Sequence, residues 1–329
     1  MGRYFGKKII VYLITFIIAV TINFVIPRMM PGDPIQILLS RFSGMEGGRE
    51  IIEKQLTLLF SLDDPLIVQY FKFWKSIFTG DFGISIMQFP TPVIDIIKKA
   101  IIYDLILLIP SIILSWIVGN KLGAFSGVNK KADNVLMPIF YFLSSSPYFW
   151  LAGVVAFFLG VKLGWFPISG AYSATMNPGF NLKFIFDYLK HWVLPFLSMF
   201  LVELGGWAIG MRNMIIYERS SNYSKYMEAL GASDKCIRRY GFRNGVLPQV
   251  TGLALRLAGI IGGAITVETV FNYPGLGRVM LNAVFNQDYF LLQGIFLAIV
   301  TMTLVANFVV DIIYMFIDPR VRLSFSGEV

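Results

Sequence analysis

The chain has 329 residues, 56% of them apolar and only 15% charged, with a mean hydropathy of +0.67. That balance excludes a disordered, collagenous or coiled-coil protein and places the chain in a bilayer. The formal charge of +8 arises from 28 basic and 20 acidic residues spread so unevenly that whole stretches long enough to span a membrane carry one or none. A single cysteine, Cys236, precludes an intrachain disulfide, and the single histidine, His191, cannot build a His-based zinc site with it.

A helix rises about 1.5 Å per residue through a hydrocarbon layer about 30 Å thick, so each span needs roughly twenty apolar residues. Six windows qualify: residues 9–26, 101–125, 136–165, 192–215, 250–270 and 290–317. The sequence therefore predicts an all-α polytopic membrane protein with six transmembrane helices. The third and last windows are long enough to tilt or hold a break. Arg3, Lys7 and Lys8 precede the first window, but Pro27, Arg28 and Met29 follow it without a small-residue cleavage site, so it reads as a retained anchor.

Six spans put both termini on one side. The segments on that side carry 14 Lys/Arg against 11 in the longer segments opposite, which predicts cytoplasmic termini in a cell (plasma or inner) membrane. The basic charge thus suits the inner leaflet; no basic run is interleaved with stacking aromatics, which argues against nucleic acid.

Residues 27–100 read as a small extracytoplasmic subdomain with a loop at 44–48, helical spacing at 50–60 and an amphipathic aromatic stretch at 71–78 suited to a membrane surface. The stretch 223–251 is too polar to cross a membrane and too apolar for a linker. It predicts a short helix up to Leu230, a break at Gly231, a second helix N-capped by Ser233 or Asp234, and a stop near Pro248. Two short helices at an angle make a knob suited to docking in a partner's cleft and carrying its motion into the bilayer.

That segment resembles the coupling loop of integral permease subunits in ATP-binding cassette (ABC) importers, with departures at Met227, Glu228 and Leu230. Along nearly its whole length the chain is similar to the dipeptide and oligopeptide permease family. The similarity rests on Pro31-Gly-Asp-Pro34, Gly80-Asp-Phe-Gly-Ile-Ser85 with Pro92-Val93, Ser146-Pro147 with Phe149, Trp165-Phe-Pro167 with Ser169-Gly170, Arg243-Asn244 with Leu247-Pro248, Glu268 with Tyr273-Pro-Gly-Leu-Gly277, Asp288-Tyr289 and Asp318-Pro-Arg320. The order of these pieces resembles the first of the family's two paired permeases.

The resemblance implies the type I ABC importer permease fold, with an N-terminal anchor (1–26), the extracytoplasmic insertion (27–100), a five-helix core (101–317) containing the coupling loop 216–248, and a cytoplasmic tail (318–329). It implies a homologous second permease, two ATPase subunits that carry ATP and magnesium, and an extracytoplasmic solute-binding protein, all within membrane lipid. This chain would be no enzyme and bind no cofactor; it holds no Gly-x-x-x-x-Gly-Lys-Ser/Thr phosphate loop. Contact with the ATPases would fall on Tyr223, Glu228, Ala229, Gly231, Ala232, Ser233, Arg243, Asn244, Leu247 and Pro248, with transport by alternating access. Family members carry peptides or oligosaccharides, and residues 148–150, 205–213 and 247–252 lean toward the sugar branch. A stand-alone channel or secondary transporter is the alternative, and would need its own coupling-ion site.

Four acids fall in or near spans: Asp104, Glu203, Glu268 and Asp311. Because a carboxylate at a helix centre costs about 2.5–3.5 kcal/mol in lipid, each should face protein or water. Glu268 is the best pathway candidate of the four and Ser144, Ser145 and Ser146 are further ones, while packing against Arg256, Asn307 or the partner permease is the alternative for each acid. Gly206 with Gly210, and Gly259 with Gly263, are spaced for close helix contact.

Overall fold

The computed structural model describes residues 2–29, 64–258 and 264–317, and these are almost entirely helical. The Pro31–Pro34 motif, the expected loop at 44–48 and helix at 50–60, the Gly259/Gly263 pair and Asp318–Arg320 lie outside the described residues. The chain divides into two compact units, Met1–Tyr103 with Gly275–Val329, and Asp104–Pro274.

In the first unit, α1 (Gly2–Met29) runs beside the last helix, Tyr289–Ile317, and the amphipathic α2 (Leu66–Thr79) covers both. Phe73 is buried with Val20, Phe24 and Leu297, while Tyr70 and Trp74 flank them. The rest of the apolar surface of α2, including Leu66, Ile67, Phe71 and Phe78, stays exposed. Asp288 accepts from Ser85 Oγ at 2.5 Å and from Met87 N at 2.9 Å, so two of the family-like motifs meet at one buried carboxylate. At the other end of the unit Asp311 pairs with Lys8 and accepts from Tyr12 Oη at 2.7 Å, anchoring the last helix to α1.

α3 (Val93–Val128) contributes residues to both units and keeps Pro110 within its helix. In the second unit, α4 (Lys130–Ser145) starts where Asn129 Oδ1 accepts from Lys131 N and Ala132 N. It ends at Ser146, whose extended backbone is what a following proline demands, and α5 (Tyr148–Val155) restarts after Pro147. α5 continues as a π-helical stretch, Ala156–Lys162, and this arm bends 109° away from α4. The long third window therefore holds a break.

α6 (Leu182–Ser220) is the central helix of this unit, capped by Asn181 Oδ1 on Phe184 N at 2.8 Å. Its contacts with neighbours rest on small residues. A Cβ at Gly123 of α3 would lie 2.2 Å from Ala208 O, and one at Gly205 would lie 2.6 Å from Phe140 O. Gly119 and Gly127 continue the same stripe against α6. The expected contact at Gly206 is not made, since nothing lies within 4 Å of its side-chain position; Gly210 meets Gln249.

After α6 come α7 (Asn222–Ala229) and α8 (Asp234–Ala258). The expected stop near Pro248 is corrected: α8 runs through it. Proline costs one backbone hydrogen bond, but the turns on either side are held against α6 and α3, where Gly245 admits Met214 and Trp116 Nε1 donates to Gln249 O at 3.0 Å.

α9 (Ile265–Val270) ends the second unit, and α10 (Leu276–Phe285) precedes α11 (Tyr289–Ile317) in the first. Among the described residues four helices are long and apolar enough to cross a membrane, or five if the bent α4–α5 pair is one span. The fifth expected span, 250–270, is not one described helix but the end of α8 followed by the separate α9.

Candidate functional site

The elbow between α6 and α8 is built on one carboxylate. Glu218 Oε2 accepts from Tyr223 Oη at 2.5 Å and from Asn244 Nδ2 at 3.3 Å, and its backbone carbonyl accepts from Ser221 Oγ at 2.6 Å and Ser224 Oγ at 2.7 Å. A residue of α8 and one of α7 are thereby tied to the last turn of α6. Arg219 and Arg238 both reach Asp234, at 3.3 and 2.5 Å, adding a clamp across the elbow.

The turn at its tip follows from Gly231. With φ at +81° it takes the left-handed conformation that closes α7: Gly231 N donates to Glu228 O at 2.9 Å, and Ala232 N to Met227 O at 3.0 Å. These are the paired bonds of a Schellman cap, which satisfy carbonyls the helix end would otherwise leave open. Ser233 then starts α8, its carbonyl accepting from Cys236 N and Ile237 N, while Asp234 sits in the first turn.

The expected coupling residues divide into two groups. Tyr223 and Asn244 are half-buried braces on Glu218. Glu228, Ala229, Gly231 and Ser233 are exposed around the tip, with Ala232 half-buried between them. Arg243, Leu247 and Pro248 are exposed on α8. Around the tip Tyr226 and Leu230 are 66% and 70% exposed, an apolar surface on a polar segment. Glu218 was not singled out from the sequence; its signal is its place just before the helix-starting Ser-Ser-Asn of 220–222, with Tyr223 five residues on.

The expected pathway residues lie on elements that pack together, Ser144, Ser145 and Ser146 at the α4–α5 bend and Glu268 on α9, which contacts α5. Ser144 and Ser146 turn their hydroxyls back onto Tyr141 O at 3.2 Å and Phe142 O at 2.7 Å. Ser145 and Ser146 line an open hollow of about 560 Å³ with Tyr141, Phe142, Phe149 and Trp150 at the α4–α5 bend. Glu268, on α9, is 1% exposed; its backbone carbonyl accepts from Tyr273 N at 2.8 Å. Tyr273 in turn shares a 2.7 Å hydroxyl contact with Tyr188 of α6.

A charged cluster joins three helices of the second unit. Glu203 of α6, 8% exposed, accepts from Tyr148 Oη at 2.5 Å and pairs with Arg256 of α8, whose Nε lies 2.9 Å away. Arg256 also donates to Tyr148 Oη at 2.6 Å. Of the packing partners expected for the acids, Arg256 is the one Glu203 meets, whereas Tyr148 was missed because its role depends on the bend at Pro147. Along α6, Arg212 holds Asp133 of α4 in a two-pronged pair at 3.0 and 2.6 Å, with Ser126 Oγ donating to the same carboxylate. Among the described residues no group of three or more His, Cys, Asp or Glu could hold a metal ion.

The family profile described as "binding-protein-dependent transport system inner membrane component" matches residues 111–323, which contain the elbow, the bend and the cluster. The oligopeptide transport system permease protein AppB of Bacillus subtilis (strain 168) is 30% identical over 94% of this chain and 96% of its own. The glutathione transport system permease protein GsiC of Escherichia coli (strain K12) is 30% identical over 98% and 99%. The oligopeptide transport system permease protein OppB of Haemophilus influenzae (strain KW20) is 27% identical over 98% and 100%. The chain belongs to the family of inner membrane components of binding-protein-dependent transport systems, the permease subunits of ABC importers.

Proposed function

We propose that this chain forms half of a solute pathway, together with a homologous second permease, and that two separate ATPase subunits drive it by docking on the elbow at 222–233. The reading is carried by the elbow itself. An exposed, partly apolar tip stands on a base fixed to α6 by Glu218, so force applied at the tip reaches the helices rather than dissipating in a loose loop. The Glu203–Arg256–Tyr148 cluster then links α8, which leaves the elbow, to the bend between α4 and α5. Transport proceeds by alternating access, with closure of the ATPases moving the elbow.

The elbow and both termini lie on the cytoplasmic side, as the distribution of Lys and Arg supports. An extracytoplasmic binding protein delivers the solute. Relatives named for oligopeptide and glutathione transport favour a short peptide over an oligosaccharide.

Co-purification tests the assembly: the cognate ATPase subunits should be retained by this chain, and Leu230→Glu at the tip should abolish retention. Unchanged retention by that folded variant contradicts the docking site. Affinity of the cognate binding protein for peptide and oligosaccharide panels tests the solute; preference for oligosaccharides would overturn the peptide reading.

A further inference from the structure

Just beyond the apolar part of α1, a cavity of about 230 Å³ is lined by Arg28, Gln69, Ser76, Asp81 and Gln293, all of the first unit. Arg28 has five N–H donors. Nε and Nη2 donate to Gln69 Oε1 at 3.2 and 3.0 Å, Nη1 donates to Phe24 O at 2.8 Å, and the guanidinium lies 3.6 Å from the Phe24 ring centroid. Each of these partners is neutral, and among the described residues no carboxylate pairs with Arg28. Desolvation lowers the guanidinium to about 10, which leaves it cationic at neutral pH. Arg28 keeps part of its surface exposed, and a half-desolvated cation with no carboxylate partner among the described residues favours an anion beside it.

A second observation points the same way. Gln293 is 6% exposed, and its Nε2 has no hydrogen-bond partner among the described residues. A buried amide donor left open in the lining of a cavity is a place for an acceptor. Lys72 also borders the space, but its charge is matched by Asp64 at 2.5 Å. Asp81 has one oxygen on Gly83 N at 3.0 Å and supplies a negative charge to the same lining. The cavity therefore offers one cation with no paired carboxylate among the described residues, one open amide donor and one carboxylate, the complement of a phosphate joined to an ammonium.

Position selects the source. Arg28 follows the apolar segment Lys8–Ile26 by two residues, at the depth of lipid headgroups. The helix beside it, α2, exposes Leu66, Ile67 and Phe71 at 65%, 63% and 66%, an apolar surface of the kind that rests on acyl chains. We propose that this cavity binds the headgroup of a phosphatidylethanolamine-type membrane lipid, with the phosphate on Arg28 and the Gln293 amide and the primary ammonium on Asp81. No established role of the chain requires this site, and it stands independently of the coupling proposal.

The test is native mass spectrometry of the full chain, loaded with phosphatidylethanolamine or phosphatidylcholine and then delipidated in graded detergent. Wild type should retain one phosphatidylethanolamine more tightly than phosphatidylcholine. Arg28→Gln should weaken retention about tenfold, the loss expected for one charge-assisted contact. Ser76→Phe, which fills the cavity without touching the charge, should abolish retention, and Asp81→Asn should erase the headgroup preference. Lys75→Gln, exposed on the same helix, should behave as wild type. Retention equal to wild type in folded Arg28→Gln and Ser76→Phe overturns the proposal. So does displacement by soluble glycerophosphoethanolamine at the concentration of lipid, which would assign the cavity to a free phosphate ester.

Discussion

Arg256 donates from Nε to Glu203 Oε1 at 2.9 Å, tying the helix that leaves the elbow to the middle of α6. Tyr148 closes the contact from the far side of the Pro147 bend, giving the carboxylate a second donor. A carboxylate and a guanidinium in an apolar layer are tolerable only as a pair, so removing one strands the other. Glu203→Gln and Arg256→Gln should each destabilise the purified chain by about 2 kcal/mol, reduced from the fully buried case because half of Arg256 is exposed. The double variant should cost less than the sum by about 1 kcal/mol or more, read from a thermal-unfolding cycle. Additive losses would mean that the pair is not coupled.

Gly231 sits at φ +81° with nothing within 4 Å of its side-chain position, so its constraint is the backbone alone. Gly231→Ala should loosen the Schellman turn by about 1 kcal/mol, whereas Gly231→Asn, better suited to the left-handed region, should cost less. Amide exchange at residues 230–232 should rise about fivefold in the alanine variant. Equal exchange in both variants would place the constraint elsewhere.

The Tyr223 hydroxyl meets Glu218 at 2.5 Å, a bond internal to the elbow. Tyr223→Phe should weaken the base of the elbow by about 1–2 kcal/mol without changing the global melting temperature. Limited proteolysis within 222–233 should accelerate; cleavage at the wild-type rate would show that the brace contributes nothing.

Two glycines, one on α3 and one on α6, should respond in opposite ways. Gly123→Leu drives a side chain into the Ala208 backbone and forces α3 from α6, costing at least about 1–3 kcal/mol and lowering the yield of folded protein. Gly206→Ala meets open space and should be neutral or slightly stabilising through its helix propensity. Melting temperatures of the two variants check the pair directly.

Much of this was legible from residue pattern. The apolar windows locate the long helices because length and hydropathy are local properties, and Gly231 with Ser233 marks the elbow because caps are local too. The cost of burying a lone charge marks Glu203 as needing a partner and Arg256 as one candidate, but does not by itself pair the two. Other features depend on partners distant in sequence. Pro248 reads as a stop, yet α8 passes through it because α6 holds both sides. Gly206 and Gly210 look like a packing pair, but only Gly210 makes a close approach, to Gln249, and the others fall on Gly205 and the Gly119–Gly123–Gly127 stripe, which depends on the rotation of α6 against its neighbours. Glu218 organises the elbow through Tyr223 and Asn244, and the reach to Asn244 exists only once α8 has folded back.

Site-specific photo-crosslinking from Ala229 in the complete membrane complex tests the central claim most directly. A benzophenone side chain there should form an adduct with an ATPase subunit, while the same group at the fully exposed Phe180 should form none. Absence of an ATPase adduct from Ala229 in a complex that still transports, or modification of that position by a membrane-impermeant reagent added outside intact cells, would contradict the elbow's role as the point where nucleotide chemistry enters the membrane.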